Sequence, residues 1–288
     1  MADRNKRLAE NVPGEFFVDS TCIDCDACRQ IAPEVFADSG EFSFVHAQPQ
    51  DEDTVRNALR ALLACPTGSI GTLHPNRARE VKADFPLPVA ERVFYCGFNS
   101  PKSFGGNSYF VRHPAGNWLI DSPKFLPPLI DRFKEWGGIA YIFLTHRDDV
   151  AEAAKFAEKF SARRIIHRLE LSSQPGAEIV IDGEQPLEIV PQFLVIPTPG
   201  HTRGHCCLLY DRKYLFTGDH LWWSRTKERL NAGRDVCWHS WTQQTRSMAL
   251  LEKYDFEWVL PGHGQRVHQP PEEMRRQIGE LVAEMQSR

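Results

Sequence analysis

Three cysteines spaced i, i+3, i+6 (Cys22, Cys25 and Cys28), with a fourth at Cys65 directly before Pro66, constrain this chain more than any other feature. No regular helix or strand points three such side chains one way. The run must therefore be a loop curled around a compact object that several sulfurs reach. Loop amides then face the object's own sulfides and a remote Cys-Pro closes its far side, the grammar of a cubane iron–sulfur cluster. Four unconnected cysteines or a zinc site are the competing readings, but zinc sites usually pair their cysteines with a longer gap between pairs. The flanks agree with a cluster. Residues 15–20 read as a short strand, and residues 51–64 have an acidic start and helical apolar spacing leading into Cys65.

Composition bounds the rest. With 42% hydrophobic and 25% charged residues the chain reads as globular, and no apolar run reaches the roughly 18 residues of a membrane span. No secretory signal is evident at the start, and eight cysteines in that context predict a reducing, cytoplasmic setting. A net charge of −4 weighs against nucleic acid as a partner. Charge is uneven: residues 1–75 hold 12 acidic and 6 basic side chains. A polar stretch then follows without a clean apolar period. The expected division is a cluster domain over 1–75, a linker over 76–91 and a second domain over 92–288.

The segment from Cys22 to Phe36 resembles the single-cluster bacterial ferredoxins, a likeness that extends over about residues 12–73. It implies a small α+β domain with one 4Fe-4S cluster held by Cys22, Cys25, Cys28 and Cys65. Cys25 stands where some relatives substitute, which favours four irons over three. The acidic excess fits an electron carrier that meets a redox protein as donor or acceptor.

From residue 92 onward, ten apolar strand-like runs alternate with helical stretches, an α/β pattern. Four runs end in turns carrying His or Asp: residues 144–149, 198–205, 216–220 and 260–264. His146, His201 and Asp219 supply two imidazoles and one carboxylate, enough for zinc or iron. These turns resemble the metallo-β-lactamase superfamily over about residues 92–265, which implies an αββα sandwich. On that resemblance His146 matches the first ligand of the HxHxDH motif, His201 the third His, Asp219 the metal-bridging Asp and His263 the last His. Asp121 takes the place of an early, mainly structural Asp.

The departures from the family pattern shape the functional expectation. Asp148 stands where the second His belongs, and Val150 and Ala151 replace the motif's Asp-His pair. The second metal keeps Asp219 and His263 alone, unless a slipped register lets Asp149 help. The first site keeps a two-His-one-carboxylate set suited to ferrous iron. Within the superfamily, persulfide dioxygenases use the corresponding three ligands, and flavodiiron proteins replace the second His by a carboxylate. Three functions follow as expectations. One is a redox metalloenzyme in which the cluster feeds an iron site, with Asp148 as fourth ligand or hydrogen-bond acceptor. Another is a zinc hydrolase of esters or thioesters with Asp148 or Asp149 as base, and the last is a non-catalytic redox protein. His205 and His220 are readable as ligand-supporting groups or as turn histidines of a polar rim. Cys206 and Cys207 are expected in the core, and Trp222 and Trp223 in the pocket wall or the packing.

Overall fold

The structure, a computed structural model, describes residues 2–287. In the N-terminal part, strand Phe17–Val18 pairs antiparallel with Ile70–Gly71, and Phe36–Asp38 forms a hairpin with Ser43–Val45. Helices Ala27–Ile31 and Glu52–Ala64 pack on these strands through Phe16, Val18, Val35, Leu59 and Ile70. The longer helix starts where Asp51 and Thr54 cap one another reciprocally and Glu52 and Asp53 meet the positive end of its dipole. It stops at Cys65, because a residue before proline is pushed out of the helical region. That stop delivers Cys65 to the cysteine loop.

Two mixed sheets make up the second part. The first has seven strands in the order Ile179–Ile181, Arg163–His167, Tyr141–Phe143, Trp118–Ile120, Tyr109–Val111, Val93–Tyr95 and Leu87–Ala90. The second has six, in the order Leu187–Val190, Phe193–Pro197, Cys206–Tyr210, Tyr214–Gly218, Trp258–Pro261 and Val267–His268. Alternation along each strand decides which face meets what. Tyr109 and Val111 point into the space between the sheets, whereas Phe110 points outward. The inner layer closes on stacked aromatics, with Trp118 lying on Phe193 at a centroid distance of 4.0 Å.

Both outer faces carry helices. Pro127–Glu135 and Ala153–Phe160 cover the first sheet through Leu129, Phe133 and Phe156. Trp241–Leu251 and Pro271–Ser287 cover the second through Met248, Leu251 and Ile278. The result is the four-layer αββα sandwich. Cys206 and Cys207 are core thiols, as expected. No helix among the described residues is long and apolar enough to cross a membrane.

The stretch read as a linker is ordered. It carries two 3-10 turns, Pro75–Arg79 and Lys82–Asp84, and then contributes Leu87–Ala90 as the edge strand of the first sheet. Asp84 takes the guanidinium groups of both Arg56 and Arg60 from the cluster-side helix. Among the described residues, four further hydrogen bonds join the two parts: Asn99 N to Ala64 O (3.1 Å), Lys124 Nζ to Cys65 O (3.2 Å), Gln30 Nε2 to Gly264 O (2.8 Å) and Arg225 Nη2 to Arg29 O (3.0 Å). The cysteine loop is thereby held against the strand-end turns of the sandwich.

Candidate metal centres

Cys22, Cys25, Cys28 and Cys65 converge on one small pocket floored by Val18 and Ile70. The loop curls because Asp24 and Asp26 both adopt left-handed backbone angles (φ 54° and 64°). A buried Arg29 fixes them, with Nη1 on Asp24 at 2.7 Å and Nε on Asp26 at 2.6 Å. Nothing in the cysteine spacing indicated this pin. Burial pushes the thiols of Cys22 and Cys28 up and that of Cys25 up to about 12, so cationic iron is what would hold them as thiolates. The Ser69 amide already donates to Cys65 Sγ at 3.3 Å. The four residues fit a 4Fe-4S cluster.

The second centre is assembled from strand ends. Asp121, at φ 54° after Trp118–Ile120, accepts from the Thr145 amide at 2.9 Å and from its hydroxyl at 3.1 Å. Thr145 Oγ1 in turn lies 2.9 Å from His146 Nδ1, which leaves Nε2 to face the centre. Asp121 thus orients a ligand without reaching the centre itself, and burial pushes its carboxyl up to about 8. Gly218, at φ 47°, lets the chain turn so that Asp219 follows; a Cβ there would stand 2.6 Å from Thr145 Oγ1. Gly200 makes the same kind of room before His201, since its Cβ would meet the Gln244 backbone at 2.3 Å.

Asp219 Oδ2 lies 3.7 Å from both His146 Nε2 and His201 Nε2. Asp148 Oδ2 lies 3.8 Å from the first nitrogen and 4.0 Å from the second. A tetrahedron with metal–ligand bonds near 2.0–2.2 Å has edges of about 3.3–3.6 Å, so these four separations lie only slightly beyond ligand spacing. The two buried Nε2 atoms have no hydrogen-bond partner, as befits ligands. Burial drives His146 down to about 3, which keeps its nitrogen free of a proton.

The 3-10 turn Arg147–Asp149 brings in a second aspartate as well. Asp149 is 1% exposed, neither of its oxygens has a partner, and it lies within ligand range of His146 and Asp219. The slipped register that would bring Asp149 to the centre is thus geometrically open, because its carboxylate lies with His146 and Asp219. Two glycines flank its carboxylate, for a Cβ on Gly106 would stand 2.7 Å from Oδ1 and one on Gly262 would stand 2.6 Å from Oδ2. Burial, and after it Asp219, pushes Asp149 well above the usual carboxylate range. His263 Nδ1 meets Asp219 Oδ1 at 2.7 Å. Burial opposes a charge on His263, yet the Asp219 carboxylate outweighs it and holds the imidazole up to about 10. Val150 and Ala151 supply only cavity wall.

The polar-rim reading of His205 and His220 is corrected, because both are fully buried behind the ligands. His205 Nδ1 meets Thr198 Oγ1 at 2.9 Å, and its ring lies 5.3 Å from His146 and 5.6 Å from His220. Burial keeps both neutral, His220 down at about 3. Trp222 borders the cavity, whereas Trp223 packs into the core. Glu170 was missed in the sequence. It is 1% exposed, accepts from the Gly204 amide at 2.6 Å and lies 3.9 Å from Arg147. A single Glu in a 3-10 turn between two strands carries no pattern that marks it.

One cavity of about 1060 Å³ joins the two centres, with Cys25 on its wall together with Asp148, Asp149, His201, Asp219 and His263. Residues 102–263 match the family described as the metallo-beta-lactamase superfamily, which is more than half of the 288-residue chain. The chain belongs to the metallo-beta-lactamase superfamily. Residues 18–72 match the 4Fe-4S single cluster domain of ferredoxin I, so the superfamily domain is fused to a ferredoxin-like one. Among solved structures, the DIM-1 metallo-beta-lactamase shares 20% identity at a TM-score of 0.53, covering 68% of this chain and 95% of its own. A metallo-beta-lactamase family protein from Thermus thermophilus shares 16% at a TM-score of 0.51, covering 69% and 81%. A beta-lactamase domain protein from Burkholderia ambifaria shares 16% at 0.51, covering 70% and 76%. These likenesses establish the sandwich fold of this superfamily member. The superfamily's divalent metal suits the donor atoms around Asp219.

Proposed function

We propose that this chain is a redox metalloenzyme in which the 4Fe-4S cluster supplies electrons to iron at His146, His201, Asp219 and Asp148. The carrying observation is the dipeptide Gly105–Gly106. A Cβ on Gly105 would stand 2.6 Å from Cys25 Cβ, while one on Gly106 would stand 2.7 Å from Asp149 Oδ1. With ~3.8 Å between successive Cα atoms and ~1.5 Å for each Cα–Cβ bond, the path from Cys25 Cβ to Asp149 Oδ1 is at most about 12 Å. A hydrolase gains nothing from a carrier placed so near its donor atoms.

Bound iron would supply one-electron chemistry and an open position for a small-molecule substrate. The chain's own residues do the rest. Thr145 orients His146, and Asp219 spans both ligand sets. Asp149 can hold a proton beside the substrate position, since its buried carboxyl favours the neutral form. A redox protein would load the cluster, and the acidic cluster domain suits a basic one. The second reading is a zinc hydrolase with Asp148 or Asp149 as base, favoured by histidine nitrogens that lie 3.7–4.0 Å from the Asp219 and Asp148 carboxylates.

The deciding experiment is anaerobic stopped-flow reoxidation of the prereduced cluster, in wild type and in His201→Ala. The redox reading expects rapid reoxidation by a small oxidant in wild type and strong slowing in His201→Ala, with the cluster spectrum unchanged. Equal rates in the two proteins, together with zinc at the site and ester turnover indifferent to reductant, would give the hydrolase the function.

A further inference from the structure

Six large hydrophobic side chains stand exposed among the described residues, and three of them (Phe104, Val236 and Trp238) border the cavity that holds the metal ligands. Phe104 and Trp238 are each 63% exposed, a costly arrangement for rings this large. Both are tied to ligands through their backbones. The Trp238 amide donates to the His201 carbonyl at 2.9 Å, and the two rings lie 6.2 Å apart. The Phe104 carbonyl faces His263. Phe104 also sits at φ 48°, a left-handed conformation that a bulky aromatic adopts only under constraint from its surroundings. The chain thus accepts both surface exposure and backbone strain to keep aromatic rings beside the centre.

Charge narrows the occupant further. The cavity lining brings the acids Asp24, Asp26, Asp148, Asp149 and Asp219 against the cations Lys102, Arg147 and His263. Lys102 is already paired with Glu152 at 2.6 Å, Arg147 faces Asp148 and Glu170, and His263 meets Asp219 at 2.7 Å. Every cation of the lining is thus already engaged, so it offers a polyanion no free counter-charge.

We propose that the mouth is a ring cradle, and that the substrate is a small molecule with an aromatic body and at most one negative charge. Its ring lies against Phe104 and Trp238 and its reacting group reaches toward Asp148 and His201. This rests on the reading that the cavity is where the reaction occurs, but its test reads binding without turnover. Equilibrium dialysis of the full-length protein with 2-naphthol is compared among wild type, Phe104→Ala, Trp238→Ala and Leu187→Ala, the last removing an exposed residue that lies outside the cavity lining. Wild type and Leu187→Ala are expected to retain 2-naphthol equally. Each cavity variant should lose about ten-fold in affinity, the scale of one well-placed aromatic contact. Octanoate and ATP should displace the probe poorly. Absent binding by wild type, equal binding by all four proteins, or displacement by octanoate or ATP at lower concentration than unlabelled naphthol overturns the cradle. Unchanged cluster reoxidation in His201→Ala would sink the electron-supply reading while leaving these dialysis results standing.

Discussion

Replacing Gly106 by Ala tests the arrangement around Asp149 with a single methyl group. Gly106 is not among the residues with left-handed backbone angles, so alanine brings no backbone strain there. The methyl would stand 2.7 Å from Asp149 Oδ1 and 3.0 Å from Cγ. An ordinary contact needs about 3.4 Å or more, so the carboxylate must retreat by roughly 0.7 Å. The open direction is toward Gly262, where a Cβ position lies 2.6 Å from Asp149 Oδ2 and 2.8 Å from Asp219 Oδ1. Retreat therefore crowds Asp219, the residue shared by both ligand sets. Disturbing a group that supports metal ligands typically costs 10–100-fold in affinity, about 1.4–2.7 kcal/mol. Competitive titration against a fluorescent zinc chelator reads this directly, with Asp149→Ala as the second arm of a cycle. In the Asp149→Ala background the extra methyl should have no further effect. A folded Gly106→Ala protein that binds metal within two-fold of wild type would refute the reasoning.

Three other outcomes are expected. Asn11→Ala removes four hydrogen bonds, three of them buried, to Leu8 O, Val18 O, Val18 N and Val45 N, and should destabilise the cluster domain by about 3 kcal/mol; thermal bleaching of the cluster reads it, and a loss under 1 kcal/mol counts against the assignment. Metal and sulfide analysis of a Cys22→Ala/Cys25→Ala variant should show the sulfide gone and metal retained at the second centre; loss of both would mean that the two sites are not independent. The Arg164 guanidinium holds Glu178 down at about 2, below its ordinary 4.5. The stability this pair adds is present above pH 4.5 and is lost as pH falls toward 2. With Glu178 39% exposed, Glu178→Gln should cost no more than about 1 kcal/mol at neutral pH, and the gap to wild type should close in acid.

The parts legible in the sequence are those whose partners lie nearby along the chain or repeat with a period. Cys22, Cys25 and Cys28 announce a curled loop because their spacing excludes regular structure, and strands such as Tyr109–Val111 announce themselves by apolar runs. His146, His201 and Asp219 stood out because each ends an apolar run at a turn. What escaped depended on neighbours far apart in sequence. Asp149 was separable from Asp148 only once the 3-10 turn fixed where each carboxylate points. The burial of His205 and His220 required the second sheet to be stacked on the first. Gly105–Gly106 looked like an ordinary glycine pair, because its meaning lies in Cys25, 80 residues earlier, and in Asp149, 43 residues later. The edge strand Leu87–Ala90 was hidden by its proline and its weak apolar pattern, both tolerated at a sheet edge.

On the electron-supply proposal, Gln30 and Arg225, which pin the cysteine loop to the sandwich, change what kind of problem delivery poses. A free carrier protein must diffuse to its acceptor, orient, react and leave, and its supply depends on how much of it the cell contains. On that proposal the encounter is made once, during folding. Its effective concentration no longer depends on dilution or on ionic strength in the way a transient complex does. The only remaining collision is with whatever loads the cluster from outside, so salt and carrier concentration should act on that step alone.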